Sequence, residues 1–186
     1  MKRIFDLVLG ITLSILMLIP ILLIALIIGF SSKGSIIFWS DRVGYNKNIF
    51  RMPKFRSMKP DTPIIATHLI SEVDQFLIPI GGFLRKYSFD ELPQLYSIIK
   101  GDMSFIGPRP ALFNQYDLIQ LRDDNGINKL KPGLTGWAQV NGRDDLSIDE
   151  KVKYEVEYLT KRNFWFDLKI LWMTFDKVIS KKGVSH

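Results

Sequence analysis

From Leu7 to Ser32 the chain runs through 26 consecutive residues without a charge, most of them Leu and Ile. As one helix this run would be roughly 39 Å long, more than the roughly 30 Å hydrocarbon core of a bilayer. It is too long for the apolar region of a signal peptide, and no small-x-small cleavage site follows it. A soluble core helix of this composition needs burial on every side, which the rest of the chain could hardly supply. The segment is therefore expected to bind the chain to a membrane. Pro20 sits near its middle, where it removes one helical hydrogen bond and clashes with the carbonyl four residues back. Two readings stay open: a kinked spanning helix, which membranes tolerate, and a re-entrant hairpin. Lys2 and Arg3 flank one end and Lys33, Arg42 and Lys47 the other. The positive-inside rule pulls both ends toward the cytoplasm and tilts the balance slightly to the hairpin.

Composition narrows the chemistry. The 186 residues are 47% hydrophobic and 24% charged, enough for one folded domain and unlike a disordered or fibrous chain. There is no Cys, which excludes disulfides, zinc fingers, iron–sulfur clusters and thiol nucleophiles. With only His68 and His186 present, a multi-His metal centre is excluded and a Ser-His-Asp triad would have to use His68. Any metal must sit on oxygen ligands, which favours magnesium-like chemistry. The formal charge is +6, of which +5 falls after residue 30 (23 Lys and Arg against 18 Asp and Glu), which suits an anionic membrane surface. Without a clustered Lys/Arg stripe it argues against a nucleic-acid partner.

No linker, repeat or low-complexity stretch follows Lys33, so one boundary is expected near residue 32, with 1–32 in the membrane and 33–186 as one folded domain. Ile36 to Trp39 reads as a short strand and Asp41 to Gly44 as a turn. Ile49–Met52 and Lys54–Met58 alternate in the same manner, and residues 59–82 read mostly as loop around a short helix. Ser88-Phe89-Asp90-Glu91 is a capping-box pattern opening a helix that Gly101 closes. Ser147-Ile148-Asp149-Glu150 is another, leading into Val152, Val156 and Leu159 at helical spacing. A last helix, about 164–182, puts Leu168, Leu171, Trp172, Phe175, Val178 and Ile179 on one face. That stripe suits core packing or, with Trp165 and Trp172 at headgroup depth, a membrane interface. The expected class is helix-rich α+β: a membrane helix plus a small mixed domain with interfacial amphipathic helices.

The densest run of unusual residues spans Leu84 to Pro110. Asp90 and Glu91 fall in the first turn of the expected helix, where its positive end favours ionised carboxylates and attracts phosphate. Neighbouring residues on a helix point about 100° apart, so the two acids can divide the work, one attacking and one holding metal or water. A plain solvated cap is the alternative. In Gly107-Pro108-Arg109-Pro110 two prolines stiffen the backbone around Arg109, as bidentate phosphate binding requires; a structural turn with a surface arginine is the other reading. Lys54, Arg56 and Arg85 are further candidates for the same anion. Lys131 to Arg143, with three glycines and a terminal Asn141-Gly142-Arg143, brings backbone close to a ligand or makes a tight turn.

These three stretches, Ser88-x-Asp90-Glu91-Leu92-Pro93-Gln94-Leu95, Lys100 to Pro110 and Pro132 to Arg143, closely resemble the bacterial sugar transferase family. Its members are monotopic phosphoglycosyl transferases that prime glycan assembly on polyprenol phosphate. The likeness covers essentially the whole chain, and its length is that of the family's minimal form. It implies transfer of a phosphosugar from a UDP-sugar to undecaprenyl phosphate, with release of UMP. Asp90 matches the nucleophile that forms a covalent phosphosugar intermediate beside a magnesium ion, Mg2+, and Glu91 the second acid. Arg109 matches the phosphate-binding arginine, with Lys54, Arg85, Asn141 and Arg143 as further substrate-binding candidates. The implied topology is a re-entrant helix broken at Pro20 with both ends cytoplasmic, placing the catalytic domain on the cytoplasmic face of the bacterial inner membrane. Residues 60–79 match no motif of the family, which leaves the sugar open. A homodimer is compatible with the sequence and not required by it. The rival readings are a lipid-phosphate hydrolase using Asp90 and a membrane-anchored scaffold.

Overall fold

A computed structural model describes residues 2–63, 72–142 and 145–180, without the side chains of 178–180. His68, Arg143, His186 and the side chains of Val178 and Ile179 lie outside the described residues. The fold is helix-rich α+β. Two helices, α1 (Lys2–Leu16) and α2 (Leu18–Ser31), meet at a 60° bend. Neither is long and apolar enough to cross a membrane, whereas the bent pair passes on length and composition. The sequence predicts the break at Pro20, and it lies at Met17, one turn earlier. Pro20 lacks the N–H that would reach Leu16, and its ring presses on that carbonyl. The neighbouring bonds, Met17 N to Leu13 O and Ile21 N to Met17 O, survive at 2.8 and 2.9 Å.

Strands β1 (Ile37–Val43) and β2 (Ile49–Phe55) form an antiparallel hairpin, registered from Ile37 against Phe55 to Val43 against Ile49. The predicted turn at 41–44 is therefore mostly strand. Pro53 interrupts nothing, because in a two-stranded sheet β2 is an edge strand and a missing donor can face outward. Short helices α3 (Gly81–Lys86) and α4 (Leu95–Lys100) flank a 3-10 turn, Phe89–Gln94. Next come β3 (Ser104–Ile106) and α5 (Tyr116–Asp124), then β4 (Gly133–Thr135), parallel to β3, and α6 (Trp137–Asn141). Last are α7 (Ile148–Lys161), opened by the predicted Ser147–Glu150 capping box, and α8 (Phe164–Ser180).

The core gathers Leu95, Ile98, Met103, Phe105, Ile106 and Ile170, with Phe5, Leu9 and Leu13 of α1 packed on it. Ile24 and Ile28 of α2 join Phe55, Ile78 and Leu84 in a second cluster. Polar groups tie α1 down as firmly. Buried Asp6 accepts from Ser104 Oγ and Phe105 N, both at 3.1 Å. Lys2 reaches Tyr158 OH at 2.6 Å and Asp167 at 3.0 Å. Arg3 donates to the carbonyls of Ile98 and Ile99 at 2.6 Å, acceptors that the end of α4 leaves without helical partners. The α8 stripe divides into two rows. Ile170 is buried and Phe166 and Met173 pack beside it, while Trp165, Trp172 and Phe175 face outward.

Candidate active site

Asp90 and Glu91 lie on the 3-10 turn, not in the first turn of a long helix. Ser88 takes a left-handed φ of 56° and makes no side-chain cap, so the predicted capping box there does not form. Glu91 is engaged elsewhere: its Oε1 accepts from Lys54 Nζ at 2.8 Å and Arg109 Nη2 at 3.1 Å. Pro93 sits within the 3-10 turn, just ahead of α4, and Gly101 closes α4 with φ 103°. A side chain at Gly101 would also meet Arg3, its Cβ coming 3.2 Å from Arg3 Nη2.

The two carboxyls are about nine-tenths buried, at 8% and 9% exposure, but their surroundings differ. Glu91 bridges two cations. Asp90 accepts no hydrogen bond among the described residues, and its nearest cation, Lys54 Nζ, is 3.8 Å away. Burial pushes the Asp90 carboxyl above its ordinary value, and the charge of Glu91 adds to this. Lys54, Arg85 and Arg109 pull the other way. Burial first, and then the charges of neighbouring side chains, thus set the state of Asp90.

Lys54 arrives from β2 and Arg109 from the turn after β3. That turn is fixed by backbone packed on backbone. A Cβ at Gly107 would come 2.3 Å from Lys131 O, and one at Gly133 2.1 Å from Gly107 N. Gly107 N donates to Thr135 O at 2.9 Å and Gly133 N to Pro108 O at 2.8 Å. Gly133 and Gly136 therefore let backbone pack closely on Gly107 of the turn after β3, a use not expected from the sequence, while a Cβ at Gly142 would meet Leu146. Arg85, on α3, donates to Met58 Sδ at 3.2 Å and acts on Asp90 through its charge. Arg56 instead binds Ser32 and Lys33 at the end of α2. Asn141 donates to Trp137 O at 2.7 Å, closing its own helix, so the structure does not bring it to the carboxyls.

One cation of this group was not foreseen. Arg42 extends from β1 with Nη1 at 3.1 Å from Pro110 O and Nε at 3.0 Å from Ser40 Oγ. Burial, then the like charge of Arg109, lower its pKa to about 10, with Glu91 opposing. In the hairpin register Phe38 faces Lys54 and Arg42 faces Phe50. Alternation therefore puts Lys54 and Arg42 on one face, a signal readable only once residues 41–43 are known to be strand.

The arrangement is a buried, open carboxyl beside a carboxylate and several cations, carried next to an apolar helix pair. A profile of the bacterial sugar transferase family matches residues 1–181. The chain belongs to the bacterial sugar transferase family. Among relatives of this sugar transferase is the undecaprenyl-phosphate glucose phosphotransferase of Komagataeibacter xylinus, 37% identical over 98% of this chain and 36% of its own length. The UDP-glucose:undecaprenyl-phosphate glucose-1-phosphate transferase of Escherichia coli is 38% identical over 98% of this chain and 41% of its own. An uncharacterized sugar transferase, EpsL of Bacillus subtilis, is 37% identical and matched over 100% and 91%. The chain thus spans about two fifths of the first and second of these relatives and nearly all of the third.

Proposed function

We propose that the protein transfers a phosphosugar from a UDP-sugar to undecaprenyl phosphate at the cytoplasmic face of the bacterial inner membrane, releasing UMP. The observation that carries this reading is Asp90, a buried carboxyl that accepts no hydrogen bond among the described residues beside cations suited to phosphate. In the first half-reaction an Asp90 oxygen bonds to the sugar-bearing phosphorus. The bridging P–O bond breaks, and UMP leaves with its electron pair. In the second, a phosphate oxygen of undecaprenyl phosphate attacks the same phosphorus. The Asp90–phosphorus bond breaks, the carboxylate returns, and a lipid-linked diphosphosugar forms. Glu91 holds Lys54 and Arg109 in place, and Arg109 takes a donor phosphate.

Magnesium fits this donor set in one way. No three His, Cys, Asp or Glu side chains converge among the described residues. Magnesium is commonly bound through one or two carboxylates plus substrate phosphates, and the open oxygens of Asp90 supply such a ligand. When bound there it would neutralise charge on the diphosphate as a Lewis acid.

Both ends of the helix pair are bonded to the same folded body, Lys2 at Ile106 O and the end of α2 at Arg56. This supports a re-entrant segment with both ends on the cytoplasmic side. The reaction is tested with a panel of UDP-sugars and magnesium, without lipid. The peptide containing Asp90 gains one phosphosugar mass as UMP is released. UMP formed only with acceptor present, on protein of unchanged mass, would indicate direct displacement. Inorganic phosphate released from undecaprenyl phosphate would make the chain a hydrolase.

A further inference from the structure

The basic residues of the site form a connected row. Lys54 bonds Glu91, Glu91 bonds Arg109, and the carbonyl of the next residue, Pro110, bonds Arg42. β1 continues the row into the turn, since Val43 N donates to Ala111 O at 2.9 Å and Arg42 bridges to Leu112. Four residue steps of hairpin separate the Phe38–Lys54 pair from the Arg42–Phe50 pair, roughly 13 Å at strand rise. Long side chains lean inward from both ends of that span toward Glu91 and Arg109.

Arg42 differs from the other members of the row. Its two hydrogen bonds go to a hydroxyl and a carbonyl, both neutral, and among the described residues it has no carboxylate within ion-pair distance. A half-buried guanidinium without a carboxylate, set beside a second guanidinium, is costly unless an anion shares it. Its lowered pKa has the same origin. Two guanidiniums, Arg109 on the turn and Arg42 bonded to it from β1, offer a fork to each of two neighbouring phosphates.

We infer that Arg42 is a second phosphate-binding arginine, gripping the donor diphosphate together with Arg109 on the side that leaves as nucleoside monophosphate. This rests on the reading of the site as one for a UDP-sugar. The acceptor is also a phosphate ester, so the test must tell donor from acceptor. It must also tell an anion ligand from a strut that only holds Pro110. Arg42→Gln keeps a neutral donor for the Pro110 carbonyl and removes the charge, and Arg42→Lys keeps a charge without the fork.

The full chain in nanodiscs is titrated calorimetrically with UMP and with pyrophosphate, and donor and acceptor KM are measured separately. For Arg42→Gln the expectation is UMP and pyrophosphate binding weakened about tenfold or more, with donor KM rising alike. Acceptor KM should stay within about twofold and the Tm within a few degrees of the unmutated chain. Arg42→Lys should recover part of the lost affinity. UMP affinity unchanged in Arg42→Gln, or a rise confined to acceptor KM, overturns the inference. Should Arg42→Gln fail to fold, Arg42→Lys decides, and UMP affinity equal to the unmutated chain is the overturning result. Binding is read without turnover. A chain that binds UMP through Arg42 yet releases none from any UDP-sugar would overturn the proposed reaction and leave this inference standing.

Discussion

Asp90 is kept in a form that costs stability. Its folded carboxyl is pushed upward, first by burial, so the folded chain holds that proton to higher pH than the unfolded one. Stability then falls as pH rises from the unfolded value toward the folded one. Asp90→Asn removes the penalty together with the nucleophile. The expected result is no detectable turnover and a Tm higher by a few degrees at pH 7. The gain in Tm should shrink as pH falls through the ordinary carboxylate range, below which Asp90 is protonated folded and unfolded alike. Thermal melts across pH check this, and equal melts for the two chains at every pH would refute it. The structure brings Asp90, Glu91 and Arg109 together with Lys54. The first three stood out as candidates because the run that holds them is unusual in sequence, and Lys54 only as a further cation. Arg42 did not, since its role depends on a strand register that crosses to another segment. Asn141 is placed differently from the other candidates. It stands inside the motif but spends its amide on its own helix.

Among the elements, α1 shows flanking charges that also serve as tertiary contacts. Lys2 and Arg3 stand in the sequence as flanking charges for the positive-inside rule, and Asp6 as the one acid nearby. In the fold all three are contacts to the strand and helix that lead into the site. Asp6 holds Ser104 and Phe105 of β3, and β3 runs into the turn that carries Arg109. Asp6→Ala leaves a buried hydroxyl and a buried backbone N–H unpaired, at about 1–3 kcal/mol for such a loss. A Tm drop of several degrees and reduced turnover are expected. Asp6→Asn keeps an oxygen that can accept both bonds and should restore most of each. If the alanine variant melts like the unmutated chain, α1 is not seated by this carboxyl. The cores of β1 and β2 and the start of α7 were legible because their signals, alternation and a capping box, are local, whereas the strand continuing through 41–43 was not. The α8 stripe left core packing and an interface both open because that helix carries two apolar rows, and periodicity alone does not say which one packs inward.

For the molecule as a whole, the decisive constraint is that both ends of one apolar segment belong to one body. A straight helix over Lys2–Ser31 would be about 45 Å long and put its ends on opposite faces of a bilayer. Lys2 is bonded to Ile106 and Tyr158, and Ser32 to Arg56, contacts that a straight span would have to break. The outward faces agree with a segment that dips in and returns. Leu18, Leu22 and Phe30 of α2 are exposed, as are Trp165, Trp172 and Phe175 of α8. Phe5 meets Phe164 edge-on at 5.8 Å, which joins the two apolar surfaces at one edge. Because the chain contains no Cys, single cysteines can report sidedness directly. One is placed in a short extension ahead of Lys2, one at Lys33 and one at Lys153, whose side chains are both exposed. In intact spheroplasts a membrane-impermeant maleimide should label none of them, and after permeabilisation it should label all three. Labelling of the extension alone from outside would mean that the segment spans, and the shared anchoring of its two ends would then not describe the chain in its membrane. Pro20→Leu supplies the N–H that α2 lacks toward Leu16 and should move part of the population to that pattern, with turnover falling in proportion to the labelled fraction.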